Sequence, residues 1–137
     1  ANSGILLTKV IYLKKTKNKN FIIVDGAMND FIRPTLYNAH HNVEPINLPK
    51  SGLETFDIVG PICETGDYFA KDVLFSKPKE GQLLAIFSTG AYGSVMSSNY
   101  NSRVPANEIL VHSGKVHRLK ELETIEDQIN KEILPIF

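Results

Sequence analysis

The chain has no tryptophan and a single cysteine, Cys63, among its 137 residues. One cysteine cannot close an internal disulfide, so the fold has to rest on a packed core. An excess of either charge is also missing: fifteen lysines and arginines face fifteen aspartates and glutamates. Without a net field there is little to draw in nucleic acid or an anionic membrane, and small molecules or protein partners suit the chain better. No apolar run, Ile133 to Phe137 included, exceeds five residues, far below the roughly 20 residues of a bilayer crossing. There is no internal repeat and no low-complexity linker. Ala1-Asn2-Ser3-Gly4 carries neither the charged nor the apolar region of a secretory signal, so a reducing cytoplasm is the expected setting. That start runs straight into Ile5 to Val10, which reads as a strand already under way, as in a piece of something longer.

What is present suits one soluble domain, long enough to bury about two thirds of its unfolded surface. Ile5 to Leu13 and Phe21 to Val24 are apolar and β-branched, with lysines and asparagines between them, which predicts a hairpin. Further strands are expected at Asp57-Ile58-Val59, Leu83 to Phe87 and Glu108 to His112, each beside glycine or proline. From Leu119 to Leu134 the period changes, with Leu122, Ile125, Ile129 and Ile133 three or four apart, which predicts an amphipathic terminal helix lying on the barrel or on a neighbour. Short strands, glycine-rich turns and one helix give a mainly β fold, a compact barrel or sandwich.

Polar chemistry collects in four loops: Asp25 to Tyr37, Gly60 to Asp67, Gly90 to Gly93 and Ser97 to Asn101. In the second, Cys63 is next to Glu64. A carboxylate beside a thiol discourages the thiolate and suits a proton donor, while the plain alternative is a turn with a packed cysteine. Pro34 biases Arg33 toward an extended conformation, from which Arg33 and Tyr37 can face one cleft and hold a carboxylate; the alternative is a surface turn. Glu64 could receive an ammonium group or sit in solvent. Tyr92, flanked by Ala91 and Gly93, could approach a flat cofactor or pack in the core. His40 and His41 are adjacent, and His112 and His117 have no cysteine or carboxylate at ligand spacing, so no metal site is expected. Gly90-Ala91-Tyr92-Gly93 has neither the length nor the lysine of a phosphate-binding Walker loop.

Taken in order, Val24-Asp25-Gly26-Ala27-Met28-Asn29-Asp30, Arg33-Pro34-Thr35-Leu36-Tyr37, Gly60-Pro61-Ile62-Cys63-Glu64-Thr65-Gly66-Asp67, Gly90-Ala91-Tyr92-Gly93 and Ser98-Asn99-Tyr100-Asn101 closely resemble the C-terminal domain of the diaminopimelate decarboxylase family, fold type III enzymes that use pyridoxal 5'-phosphate. The likeness runs from about residue 1 to residue 112. It implies a Greek-key-like β-barrel or sandwich over 1–137, with 115–137 as a terminal helical extension. It also implies a separate N-terminal (β/α)8 barrel, absent from this chain, that supplies the Schiff-base lysine. A glycine-rich phosphate loop and a Glu-Pro-Gly-Arg segment would likewise precede Ala1, so the chain alone is expected to be inactive.

The resemblance further implies decarboxylation of meso-2,6-diaminopimelate to L-lysine, the last step of lysine biosynthesis. Arg33 and Tyr37 would bind substrate carboxylate, and Glu64 the amino group at the retained stereocentre. Tyr92 would touch substrate and cofactor, and Cys63 would return a proton to the α-carbon. A homodimer is implied, with Cys63 and Glu64 reaching into the partner's site. Relatives acting on ornithine or arginine, without a distal carboxylate, have less use for Arg33 to Tyr37, and the ornithine enzymes have an aspartate after the equivalent cysteine where Glu64 stands; carboxynorspermidine decarboxylases are the closer alternative. A non-catalytic oligonucleotide-binding barrel is the alternative from another class, and charge neutrality and the lack of tryptophan argue against it.

Overall fold

The computed structural model describes residues 2–46, 52–133 and 135. Eight strands are present among them. Six form one sheet: β1 (Ile5–Lys15), β2 (Asn20–Val24), β3 (Val43–Pro45), β4 (Leu53–Val59), β5 (Tyr68–Ser76) and β6 (Leu83–Phe87), in the order β3-β6-β1-β2-β4-β5. All neighbours are antiparallel except β2 and β4, which run parallel because α1 (Arg33–Tyr37) and β3 intervene. The sheet curls until its two edges meet across a cleft, with Val43 and Pro45 on one lip and Leu74 and Ser76 on the other. This is a mainly β, nearly closed barrel-like sheet, as the sequence leads one to expect.

Alternation builds the interior. Thr8 and Val10 of β1, Ile22 and Val24 of β2, and Leu84 and Ile86 of β6 point inward and are buried, where they meet Phe31, Phe56, Ile58, Phe69 and Phe75. The hairpin of β1 and β2 forms where the sequence places it, with a bulge that skips Ile11. A second bulge, in β5, sets Lys71 and Asp72 against the single residue Asp57 of β4, whose carboxylate accepts from the Asp72 backbone N–H at 2.8 Å. Asp72 itself has φ 52. That kink breaks the alternation of β5, which explains why periodicity does not reveal this nine-residue strand.

Two expectations are corrected. Arg33 is not extended: it opens α1, a single helical turn closed by Asn38 at φ 51. Proline is tolerated in a first turn, where N–H groups have no intrahelical acceptor to lose. The terminal helix is also much shorter than the span from Leu119 to Leu134. Residues 115–118 pair instead with β7 (Ile109–His112) as β8 (Lys115–Arg118), around Ser113 and Gly114, both with positive φ. Only α2 (Ile125–Ile129) is helical, started by a reciprocal Thr124–Asp127 capping box. Leu122, Ile125 and Ile129 are exposed, so no packed face extends the helix beyond its one capped turn; Leu134 lies outside the described residues.

Candidate active-site surface

Two groups of side chains stand on neighbouring loops. In the first, the Arg33 guanidinium lies 5.5 Å from the centroid of the Tyr37 ring and 5.3 Å from that of Tyr92. The one-turn helix puts Arg33 and Tyr37 on the same side, four residues apart. Tyr92 arrives from the loop after β6 with φ 64, a left-handed conformation that aims its ring away from the barrel. Gly93 is required behind it, because a Cβ there would strike the Thr89 carbonyl oxygen. Both tyrosines are 58% exposed, so the core-tyrosine alternative does not hold for Tyr92.

The second group is on the loop from Gly60 to Asp67. Asp67 is buried and organises the loop from inside: its carboxylate accepts from the N–H groups of Met28 and Ile62, both at 2.7 Å, while its own N–H donates to the Glu64 carbonyl. Burial raises its pKa, against the pull of those two backbone donors. Gly60 has no room for a side chain, since a Cβ would collide with both Asp67 carboxylate oxygens. Held this way, the loop turns Cys63 and Glu64 out to solvent, and Cys63 is a free thiol. Glu64 is met by Tyr100, whose hydroxyl donates to Oε1 at 2.6 Å; that bond raises the pKa of the phenol.

The groups are joined through the scaffold. Thr35 Oγ1 donates to the Gly66 carbonyl, and the Tyr68 hydroxyl donates to the Pro34 carbonyl at 3.2 Å, so α1 rests on the cysteine loop. Among the described residues no hydrogen bond links Arg33, Tyr37 or Tyr92 directly to Cys63 or Glu64. Asp67, Thr35 and Tyr100 are the residues that sequence reasoning leaves without a role. Arg103 is another: its Nε donates to Asn29 Oδ1 at 2.9 Å and its Nη2 to the Asp25 carbonyl at 2.5 Å. It thereby ties the Ser97–Asn101 loop to the loop after β2. No local pattern marks such partners, which are 74 and 78 residues apart. Among the described residues no three histidines, cysteines or carboxylates gather as a metal site, and no helix is long and apolar enough to cross a membrane.

A curled sheet that carries an arginine held between tyrosines, and a cysteine-glutamate loop at its rim, defines a domain class. Residues 2–90 match the family described as pyridoxal-dependent decarboxylase, C-terminal sheet domain, and the chain belongs to that family. Within it, the chain is 51% identical over 127 residues to a diaminopimelate decarboxylase of Pseudomonas aeruginosa, covering 93% of this chain and 30% of that protein. Two solved structures agree. The Helicobacter pylori diaminopimelate decarboxylase complexed with L-lysine superposes with a TM-score of 0.88 at 43% identity, over 95% of this chain and 32% of that one. The M. jannaschii enzyme, also with L-lysine, gives 0.94 at 37% identity, over 98% and 31%. The chain thus spans about a third of the length of the relatives it matches.

Proposed function

We propose that this chain is the C-terminal domain of a cytoplasmic diaminopimelate decarboxylase, which converts meso-2,6-diaminopimelate to L-lysine and carbon dioxide with pyridoxal phosphate. The observation that carries the reading is the Arg33 guanidinium held between Tyr37 and Tyr92. Contacts with two aromatic rings orient the guanidinium, whose planar fork of N–H groups can grip a carboxylate in two-point fashion. Diaminopimelate has two amino-acid ends, and only one loses its carboxylate. Selection therefore requires groups that read the far end, and unpaired polar groups penalise substrates lacking it.

The roles divide by chemistry. Arg33 and the Tyr37 hydroxyl bind substrate carboxylate, and the Glu64 carboxylate accepts from the ammonium at the retained stereocentre. Cys63 holds a proton on Sγ and gives it to the α-carbon after carbon dioxide departs. An exposed tyrosine ring beside a guanidinium also suits an anionic, aromatic group, so the donor set fits pyridoxal phosphate, and Tyr92 is the residue here that would touch it. When bound, that cofactor supplies the sink for the electron pair released at the α-carbon. Its anchoring lysine belongs to the (β/α)8 barrel expected in the rest of the enzyme, and this domain by itself is inactive.

We further infer a homodimer in which Cys63 and Glu64 serve the partner's site while Arg33, Tyr37 and Tyr92 serve their own. What supports it is that, among the described residues, no hydrogen bond joins the two groups. The test is to assay the full-length enzyme with meso-diaminopimelate, carboxynorspermidine and L-ornithine. L-lysine and carbon dioxide are expected in equal amounts from the first, with far slower turnover of the others. Preference for carboxynorspermidine would replace this reading.

A further inference from the structure

We infer that Tyr100 is a positioning residue for Glu64 and thereby a determinant of substrate specificity. The inference rests on the reading of Glu64 as the acceptor for the substrate's distal ammonium. Tyr100 donates its hydroxyl hydrogen to Glu64 Oε1 at 2.6 Å, across 36 residues of sequence. That bond occupies one carboxylate oxygen and leaves Oε2 to face a ligand. A glutamate side chain on an exposed loop otherwise samples many rotamers, and a partner that fixes one of them lowers the ordering cost of binding.

The backbone around Tyr100 points the same way. Asn101 and Ser102 follow it with φ of 62° and 55°, in the left-handed region that serine seldom adopts. The segment is held on both sides. Before it, the Ser98 N–H donates to the Asn29 carbonyl at 2.9 Å and Asn29 Nδ2 donates back to the Ser98 carbonyl at 3.3 Å. After it, Arg103 grips Asn29 Oδ1 and the Asp25 carbonyl. A strained turn clamped at both ends presents one half-exposed tyrosine, and the side-chain partner of its hydroxyl is Glu64. Packing does not require this arrangement, because the ring is outside the core. Orientation of the carboxylate does.

The test uses the full-length enzyme and the variants Tyr100→Phe, Glu64→Gln and the two combined. Tyr100→Phe keeps the ring and removes only the hydroxyl. It is expected to raise KM for meso-diaminopimelate about 3- to 10-fold, the scale of one hydrogen bond, with kcat little changed. Added to Glu64→Gln it should have little further effect on KM, since the charged acceptor for the ammonium that Tyr100 positions is already gone. The Ki of 2-aminopimelate as a competitive inhibitor, which lacks the distal amine, should be the same for wild type and Tyr100→Phe. A wild-type KM in Tyr100→Phe, independent multiplying effects, or an equal loss for 2-aminopimelate would overturn the inference. Failure of Glu64→Gln to change KM, or of the wild type to turn over diaminopimelate, would overturn the underlying reading and this one together.

Discussion

Asp67 shows how one residue can shape a site it does not touch. Its two oxygens each take a backbone N–H, one from its own loop and one from the loop after β2, and Gly60 leaves the space in which it sits. Gly60→Ala should destabilise the domain by roughly 1 to 3 kcal/mol, the cost of overpacking a tight site, read as a lower denaturant midpoint at unchanged slope. Asp67→Asn offers one acceptor where two are needed, and should cost about as much at neutral pH. The pH dependence has a definite sign. Burial raises the folded pKa of Asp67 above its ordinary 3.8, so the folded chain holds this proton more tightly than the unfolded one. Its contribution is therefore complete below that ordinary value and is lost as pH rises through the raised one. Wild type should lose stability relative to Asp67→Asn across that window; a growing advantage would contradict the assignment. Cys63→Ala tests a different role. In the full-length enzyme it should lower kcat about 100-fold or more, the scale of a lost proton donor, with little change in KM.

At the level of elements, legibility followed local pattern. The β1–β2 hairpin and β6 are plain in their apolar runs, and β7 is found to within a residue. β5 is hidden because Lys71 and the left-handed Asp72 interrupt its alternation, and β8 because its four residues carry no strand pattern of their own. The terminal apolar stripe suggests a long helix, yet Leu122, Ile125 and Ile129 are exposed and belong to no packed cluster among the described residues. The same holds for the β7–β8 ribbon, whose residues are exposed on both faces, Val111 at 69% and Val116 at 70%. A two-stranded ribbon with nothing beneath it is marginal in water. In this chain alone, amides of residues 109–118 should exchange with solvent far faster than those of β1 and β6, as measured by hydrogen exchange. Equal protection would mean that the ribbon is stable without a covering surface.

On the scale of the whole molecule, the barrel carries two groups of candidate site residues. Cys63, Glu64, Arg33, Tyr37 and Tyr92 were legible because they lie in short motifs of unusual residue types. Their arrangement was not, since it depends on long-range ties such as Thr35 to Gly66 and Arg103 to Asn29. Those ties fix both groups to one domain without a direct hydrogen bond between them among the described residues, and whether they serve one active site or two is a question for the intact enzyme. The most direct measurement is complementation between full-length Arg33→Ala and Cys63→Ala enzymes, each nearly inactive, unfolded together and refolded as mixed dimers. If Cys63 acts across the interface, each mixed dimer regains one intact site, and the mixture should recover about a quarter of wild-type activity, as random pairing in a two-fold dimer requires. No recovery, with mixed dimers shown to form, would contradict the account and return both groups to a single site.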